Sequence, residues 1–187
     1  KTFFENIENA PYYEALDDAC HVFHGKGIEE LLSEGEHKSV VDALLSEQGL
    51  NYGHLPKGLL QFHKYADGVR TPAEEHLVEG ALYAKSADGK VNVHFTVSPE
   101  HRPLFEALVS EKRGELESRF GAKFDIGFSE QKPSTDTVAA NADNTPFRNA
   151  DGSLLFRPGG HGALIANLGD IAADVIFIKH QIMNIFV

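Results

Sequence analysis

Apolar positions change their spacing along the chain, and each spacing predicts a different element. In residues 11–50, Tyr12, Leu16 and Ala19 recur at i, i+4 and i+7, while Val40, Val41, Leu44 and Leu45 form a second apolar stripe, so amphipathic helices are expected. Gly25, Gly27, Gly35 and Gly49 punctuate them, and carboxylates such as Glu14, Asp18, Glu29, Glu30 and Asp42 fall mostly opposite the apolar positions, as on solvated helix faces. Residues 54–72 read as turn-rich loops. Thr71 is placed to cap a helix over residues 72–85, with Pro72 first and Glu74 and Glu75 in the first turn. Val91, Val93, Phe95 and Val97 then alternate with Asn92, His94 and Thr96, the period of a strand. Ser98, Pro99 and Glu100 are expected to start a helix that turns Leu104, Phe105, Leu108, Val109, Leu116 and Phe120 inward and ends at Gly121. Phe124, Ile126 and Phe128 mark a second strand. A loop-rich span to residue 162, a short helix over 163–168 and an uninterrupted apolar strand at Val175, Ile176, Phe177 and Ile178 follow. No internal repeat stands out.

Strand, helix, strand, loop, helix and strand is the rhythm of βαβ units, so the fold expected is α/β with a mostly parallel sheet flanked by helices. Residues 1–53 form an N-terminal helical segment and residues 54–187 the α/β core, within one compact domain. The length of 187 residues suits a single domain, and 42% hydrophobic residues with 17 glycines and 8 prolines exclude disordered, collagen-like and coiled-coil chains. A net charge of -11 repels phosphate backbones, so no nucleic-acid partner is expected. No apolar run reaches the roughly 18 residues of a membrane span, and the first residues lack a signal peptide's apolar centre. Cys20 has no disulfide partner and falls on an acidic amphipathic helix, where it is read as packing; the cytoplasm is the favoured compartment.

Ligands of α/β sheets sit outside the carboxyl ends of the strands, which directs attention to the segments after Val97, Phe128 and Ile178. In residues 155–164, Gly159, Gly160 and Gly162 lead into a helix, where bare backbone can approach a ligand and amides attract anions. Arg157 adds a partner for phosphate or carboxylate, and His161 a hydrogen bonder that titrates near neutrality. A tight turn that needs positive φ angles explains the same glycines equally well. In residues 129–137, the Gln131 amide suits the edge of a base or sugar and Lys132 a phosphate, against a self-satisfied turn as the alternative. Lys57, between Pro56 and Gly58, is a weaker candidate for neutralising a phosphate. GxGxxG, the Walker pattern, HExxH and GxSxG are all absent, so no metal site is expected from the ten histidines.

The order Pro56-Lys57-Gly58, Val93 to Val97 with Ser98-Pro99, Phe128 to Gln131, then Pro158-Gly159-Gly160-His161-Gly162, then Asp174 to Lys179, resembles the core of the UDP-sugar pyrophosphorylases, nucleotidyltransferases with a Rossmann-like GT-A fold. Arg70-Thr71-Pro72, residues 74–79, Pro146-Phe147-Arg148 and residues 152–168 make the chain most similar, within that relationship, to an uncharacterised bacterial domain family of unknown function numbered 4301. The resemblance implies that Gly159, Gly160, His161 and Gly162 approach a uridine or sugar, that Gln131 reads the uracil edge and that Lys57 meets phosphate. It implies Mg²⁺ in an active full-length form, and a nucleotide or nucleotide-sugar as partner. Two departures accompany it: the Gly-rich triphosphate loop of those enzymes has no counterpart, and residues 180–187 stand where they carry a metal-binding Asp. A fragment is therefore expected, with uridylyl transfer to a sugar-1-phosphate in its longer form. Non-catalytic nucleotide binding, or self-association through an exposed sheet edge, is the alternative.

Overall fold

The computed structural model describes residues 2–179, which form a mixed α/β fold with seven α-helices and three two-stranded sheets. Helices α1 (Thr2–Glu5), α2 (Tyr13–His24), α3 (Ile28–Ser33) and α4 (His37–Leu45) enclose a first core of Ile7, Leu16, Cys20, Ile28, Leu31, Val40, Ala43 and Leu44. Leu16, Val40 and Leu44 thus occupy the inward positions that their spacing predicts, whereas Leu45, at the end of α4, is exposed. The Asp17 carboxylate accepts the Ile28 amide at 2.7 Å and so supplies the start of α3 with the partner its Gly27 cap lacks. Cys20 is fully buried, and burial, with Asp17 nearby, pushes its thiol above the ordinary range, as expected for a packing residue.

A second core carries the α/β unit. Helix α5 (Pro72–Tyr83) begins in a reciprocal capping box: the Thr71 hydroxyl accepts the Glu74 amide, and the Glu74 carboxylate accepts the Thr71 amide at 2.7 Å. Strand β3 (Lys90–Thr96), crossover helix α6 (Arg102–Phe120) and strand β4 (Lys123–Ser129) follow, with the strands parallel and in register from Lys90↔Lys123 to Thr96↔Ser129. Leu77, Val78 and Ala81 of α5, Phe105, Val109 and Leu116 of α6, and Val91, Phe95 and Phe124 of the strands make one cluster. Gly80 lets α5 close on β3, because a Cβ there would lie 3.2 Å from Val91 and 3.3 Å from Val93. The alternate strand positions Asn92, His94 and Asp125 are exposed.

Several expectations are corrected. Residues 63–70, read as loop, form an antiparallel hairpin of β1 (His63–Tyr65) and β2 (Gly68–Arg70), held by the Arg70 guanidinium 4.3 Å over the Tyr65 ring and by Gly68 at φ 134°. Helix α6 starts at Arg102 rather than Ser98: the Ser98 carbonyl accepts the His101 and Arg102 amides, so residues 98–101 make a turn, and Leu104 is exposed. The apolar residues 175–178 form no strand; Val175, Ile176, Phe177 and Ile178 are 72, 38, 60 and 72% exposed. They run irregularly past α5, with the Phe177 ring on Tyr83 and Lys179 paired to Glu79 at 3.1 Å. Among the described residues β3–β4 is the sole parallel pairing, so the mostly parallel sheet is reduced to two strands.

Beyond β4, strands β5 (Thr137–Val138) and β6 (Phe156–Arg157) pair antiparallel and enclose a repeat that the residue pattern conceals. Residues 141–148 and 149–157 both start Asn-Ala-Asp and end Phe-Arg, and their turns share one hydrogen-bond scheme. Asn141 and Thr145 pair around Asp143 as Asn149 and Ser153 pair around Asp151, with Asn144 and Gly152 at positive φ. A 3-10 turn, His161–Leu164, and α7 (Ile165–Leu168) are the last regular elements among the described residues, close to the short helix predicted at 163–168. No helix of the described residues is long and apolar enough to cross a membrane.

Two measurements check this account. Thr71→Ala removes the cap hydroxyl, which serves both the Glu74 amide and the largely buried Glu74 carboxylate, while the Thr71 backbone amide still reaches that carboxylate, so urea unfolding is expected to show a loss of about 1–2 kcal/mol; an unchanged midpoint would contradict the box. Lys123, the Phe124 amide and Arg113 hold the Glu117 carboxyl down from 4.5 to about 2. A depressed carboxyl stabilises fully above its unfolded pKa and loses this contribution as pH falls toward the folded one. The stability advantage of the wild type over Glu117→Gln should therefore shrink between pH 4.5 and 2, and a constant difference would refute the arrangement.

Candidate functional site

At the carboxyl end of β3 and β4 one hydroxyl joins three elements. Ser129 Oγ, at the end of β4, lies 2.9 Å from His94 Nε2 and 3.1 Å from Thr96 Oγ1 of β3, and accepts from Asn167 Nδ2 of α7 at 3.1 Å. The same Asn167 amide donates to the Glu130 carbonyl at 2.7 Å. Asn167 is buried, at 4% exposure, and clamps α7 with its preceding glycine loop onto the strand end. His94 sits opposite Gly127, where a Cβ would lie 2.7 Å from its ring, and partial burial lowers its pKa, so the ring is neutral at neutral pH.

This clamp brings two predicted segments together. A Cβ on Gly159 would meet the Thr135 carbonyl at 2.9 Å, Ala163 Cβ at 3.0 Å and Gln131 Nε2 at 3.6 Å, so the glycine loop lies directly on the Gln131 loop. Gln131 Nε2 donates to Asp136 Oδ1 at 3.1 Å, which fixes the amide. Gly159, Gly160 and Gly162 are not among the positive-φ glycines, which overturns the tight-turn explanation. Crowding explains Gly159; at Gly160 and Gly162 a Cβ would meet open space, so neither backbone angle nor packing demands glycine there. The structured segment after them is a 3-10 turn and a single α-turn, too short to supply a long helix dipole.

The cations divide into paired and unpaired. Lys132 is bound to Asp170 at 2.7 Å, and Arg102 to Glu106 at 2.8 Å and Glu130 at 3.5 Å, so the phosphate role given to Lys132 competes with an existing ion pair. Lys57 and Arg157 are exposed and have no carboxylate partner among the described residues. Lys57 opens a 3-10 turn whose Leu59 packs on the α/β core. That loop is tied to the end of β3 because His101 Nε2 donates to the His54 carbonyl at 3.1 Å while its Nδ1 meets the Ser98 hydroxyl at 2.7 Å. Arg157 ends β6, and its carbonyl accepts the Thr137 hydroxyl at 3.4 Å. His161 is exposed at the start of its 3-10 turn.

The magnesium implied by the resemblance meets no fitting donor set: no group of three or more His, Cys, Asp or Glu side chains among the described residues is placed to hold a metal. Glu130, Asp136 and Asp170 are engaged by Arg102, Gln131 and Lys132. Residues 180–187, which stand where the resembled enzymes carry a metal-binding Asp, lie outside the described residues. Two surface depressions lie elsewhere, an open one of about 660 Å³ along Tyr13, Asp17, His21 and Glu29, and one of about 150 Å³ beside Arg70 and Lys112. His94 and Asn167 are not foreseen in the sequence, and Ser129 enters there only as the first residue of the 129–137 segment, with no role of its own; the signal for His94 is its place in the polar phase of its strand.

The fold and site define a mixed α/β domain with polar groups gathered at the carboxyl end of a parallel strand pair. The chain belongs to the family described as a domain of unknown function (DUF4301), whose model matches residues 1–187. No curated protein and no solved structure matches it.

Substitution separates the two kinds of glycine. Gly159→Ala drives a methyl into the Thr135 carbonyl and should cost about 1–3 kcal/mol, whereas Gly160→Ala should leave the melting temperature unchanged. Equal effects of the two in thermal unfolding would contradict the contact.

Proposed function

We propose that the chain binds a uridine nucleotide or nucleotide-sugar at the carboxyl end of the β3–β4 pair. The carrying observation is the contact between the Gln131 loop and the glycine loop, with bare backbone at Gly160 and Gly162 where no internal constraint requires it. In this reading Gln131 offers its amide to a base or sugar edge, Gly159, Gly160, His161 and Gly162 form the close-approach wall, and Lys57 and Arg157 meet phosphate. Lys132 serves by holding Asp170, and joins the phosphate only by leaving that carboxylate.

Uridylyl transfer is the catalytic half of the proposal and follows from the resemblance to UDP-sugar pyrophosphorylases. An oxygen of a sugar-1-phosphate attacks the α-phosphorus of UTP, the bond to the β-phosphate breaks, and UDP-sugar and pyrophosphate form. The described residues contribute positioning and charge neutralisation, with Lys57 as the candidate catalytic cation. The same reading treats residues 1–53 as a helical segment supporting a Rossmann-like GT-A core, assigns the protein to the bacterial cytoplasm where UTP is made, and leaves the edges of β3 and β4 available to a second copy.

Calorimetry of the whole chain with UDP and UDP-glucose tests it. Binding is expected to weaken about tenfold in Gln131→Ala and Lys57→Ala, the loss of about one good hydrogen bond or charge contact, and little in Lys132→Ala. Absence of binding for both ligands, or Gln131→Ala binding like the wild type, would overturn the reading.

A further inference from the structure

We infer that His94, Thr96 and Ser129 form a subsite for a hydroxyl-bearing ring, a ribose or a hexose, on the open face of the β3–β4 pair. The subsite uses none of the residues assigned above, and it rests on the nucleotide-sugar reading only for the choice of probe.

Hydrogen-bond counting supports it. Ser129 Oγ has three neighbours: His94 Nε2, Thr96 Oγ1 and Asn167 Nδ2. A serine hydroxyl donates once and accepts twice, and the Asn167 amide can only donate. Ser129 must therefore donate to one of His94 and Thr96 and accept from the other. If it donates to His94 Nε2, the neutral ring carries its proton on Nδ1, and Thr96, having donated to Ser129, keeps acceptor capacity. If it donates to Thr96, the Thr96 proton and the bare Nδ1 are left over. Both arrangements leave one donor and one acceptor, the complement of a ligand hydroxyl. His94 Nδ1 has no hydrogen-bond partner among the described residues, and the histidine as a whole is exposed.

Placement and charge agree with this. The absence of a side chain at Gly127 makes room for the His94 ring, and Thr96 pairs directly with Ser129 across the ladder. Arg102 and Lys132, the cations nearest in the chain to this strand end, are neutralised by Glu106, Glu130 and Asp170. A neutral polyol is therefore favoured here over a phosphate. Lowering of the His94 pKa by partial burial keeps the ring uncharged, as the counting requires.

Calorimetry and ring NMR of the whole chain decide the matter. His94→Ala and Thr96→Val should each weaken UDP-glucose about fivefold, the effect of one modest hydrogen bond, with the melting temperature lowered only as far as the lost internal contact to Ser129 requires. Free ribose and methyl glucoside, titrated separately, should shift the His94 ring resonances, and whichever shifts them more identifies the ring held. Wild-type affinity in both variants, or altered melting with unchanged affinity, would overturn the subsite while leaving the nucleotide reading intact. Should neither nucleotide bind, a His94 shift with a free sugar would still uphold the subsite, and no shift would end it.

Discussion

Parallel pairing between β3 and β4 is the constraint on which the rest of the α/β unit depends. Seven residues of each strand are in register, and parallel strands require a long crossover, here α6. Both α5 and α6 pack their apolar side chains into the cluster that contains Val91, Phe95 and Phe124. The period-two alternation then leaves His94, Thr96 and Ser129 on the opposite side of the strands. The loops that leave the carboxyl ends are fixed by short polar contacts: Ser98 and His101 hold the His54 carbonyl, and Ser129 and Asn167 hold the glycine loop. Segments more than forty residues apart in sequence are thus gathered at one end of a two-stranded sheet.

Electrostatics refine what that end can accept. The chain carries a net charge of -11, yet the cations around the strand ends are not equivalent. Lys132 and Arg102 are already bound to carboxylates, so a phosphate would have to compete with ion pairs to reach them. Lys57 and Arg157 are exposed without such partners. The separation is between exposed cations on the loops and neutral hydrogen bonders on the strands, the division that the proposed ligand, with one charged and one hydroxyl-bearing part, would require.

Local physics made much of the fold legible in the amino-acid order. The Thr71 capping box, the Gly121 terminus of α6 and the alternation of Val91, Val93 and Phe95 rest on interactions within a few residues or on burial of one face. Features that depend on distant partners were harder. Residues 175–178 have the composition of a buried strand, but composition does not say which surface a segment meets: they leave the open edges of β3 and β4 unpaired, and Phe177 and the following Lys179 contact Tyr83 and Glu79 of α5 instead. The tandem turns at Asp143 and Asp151 are hard to discern in the sequence because the repeat is short and its two copies differ by one residue in length. Gln131 and Gly159 were each legible as candidates, while their contact was not, since Asn167 makes it and a lone buried Asn in a short helix carries no local signature.

The central claim is that ligand recognition occurs at the carboxyl end of β3–β4 and not in the larger depression among the N-terminal helices. Backbone amide shift mapping of the whole chain with UDP-glucose tests it most directly. Perturbations confined to residues 94–98, 129–136 and 157–163 are predicted. Perturbations centred on Tyr13, Asp17, His21 and Glu29, or none at saturating ligand, would contradict the account.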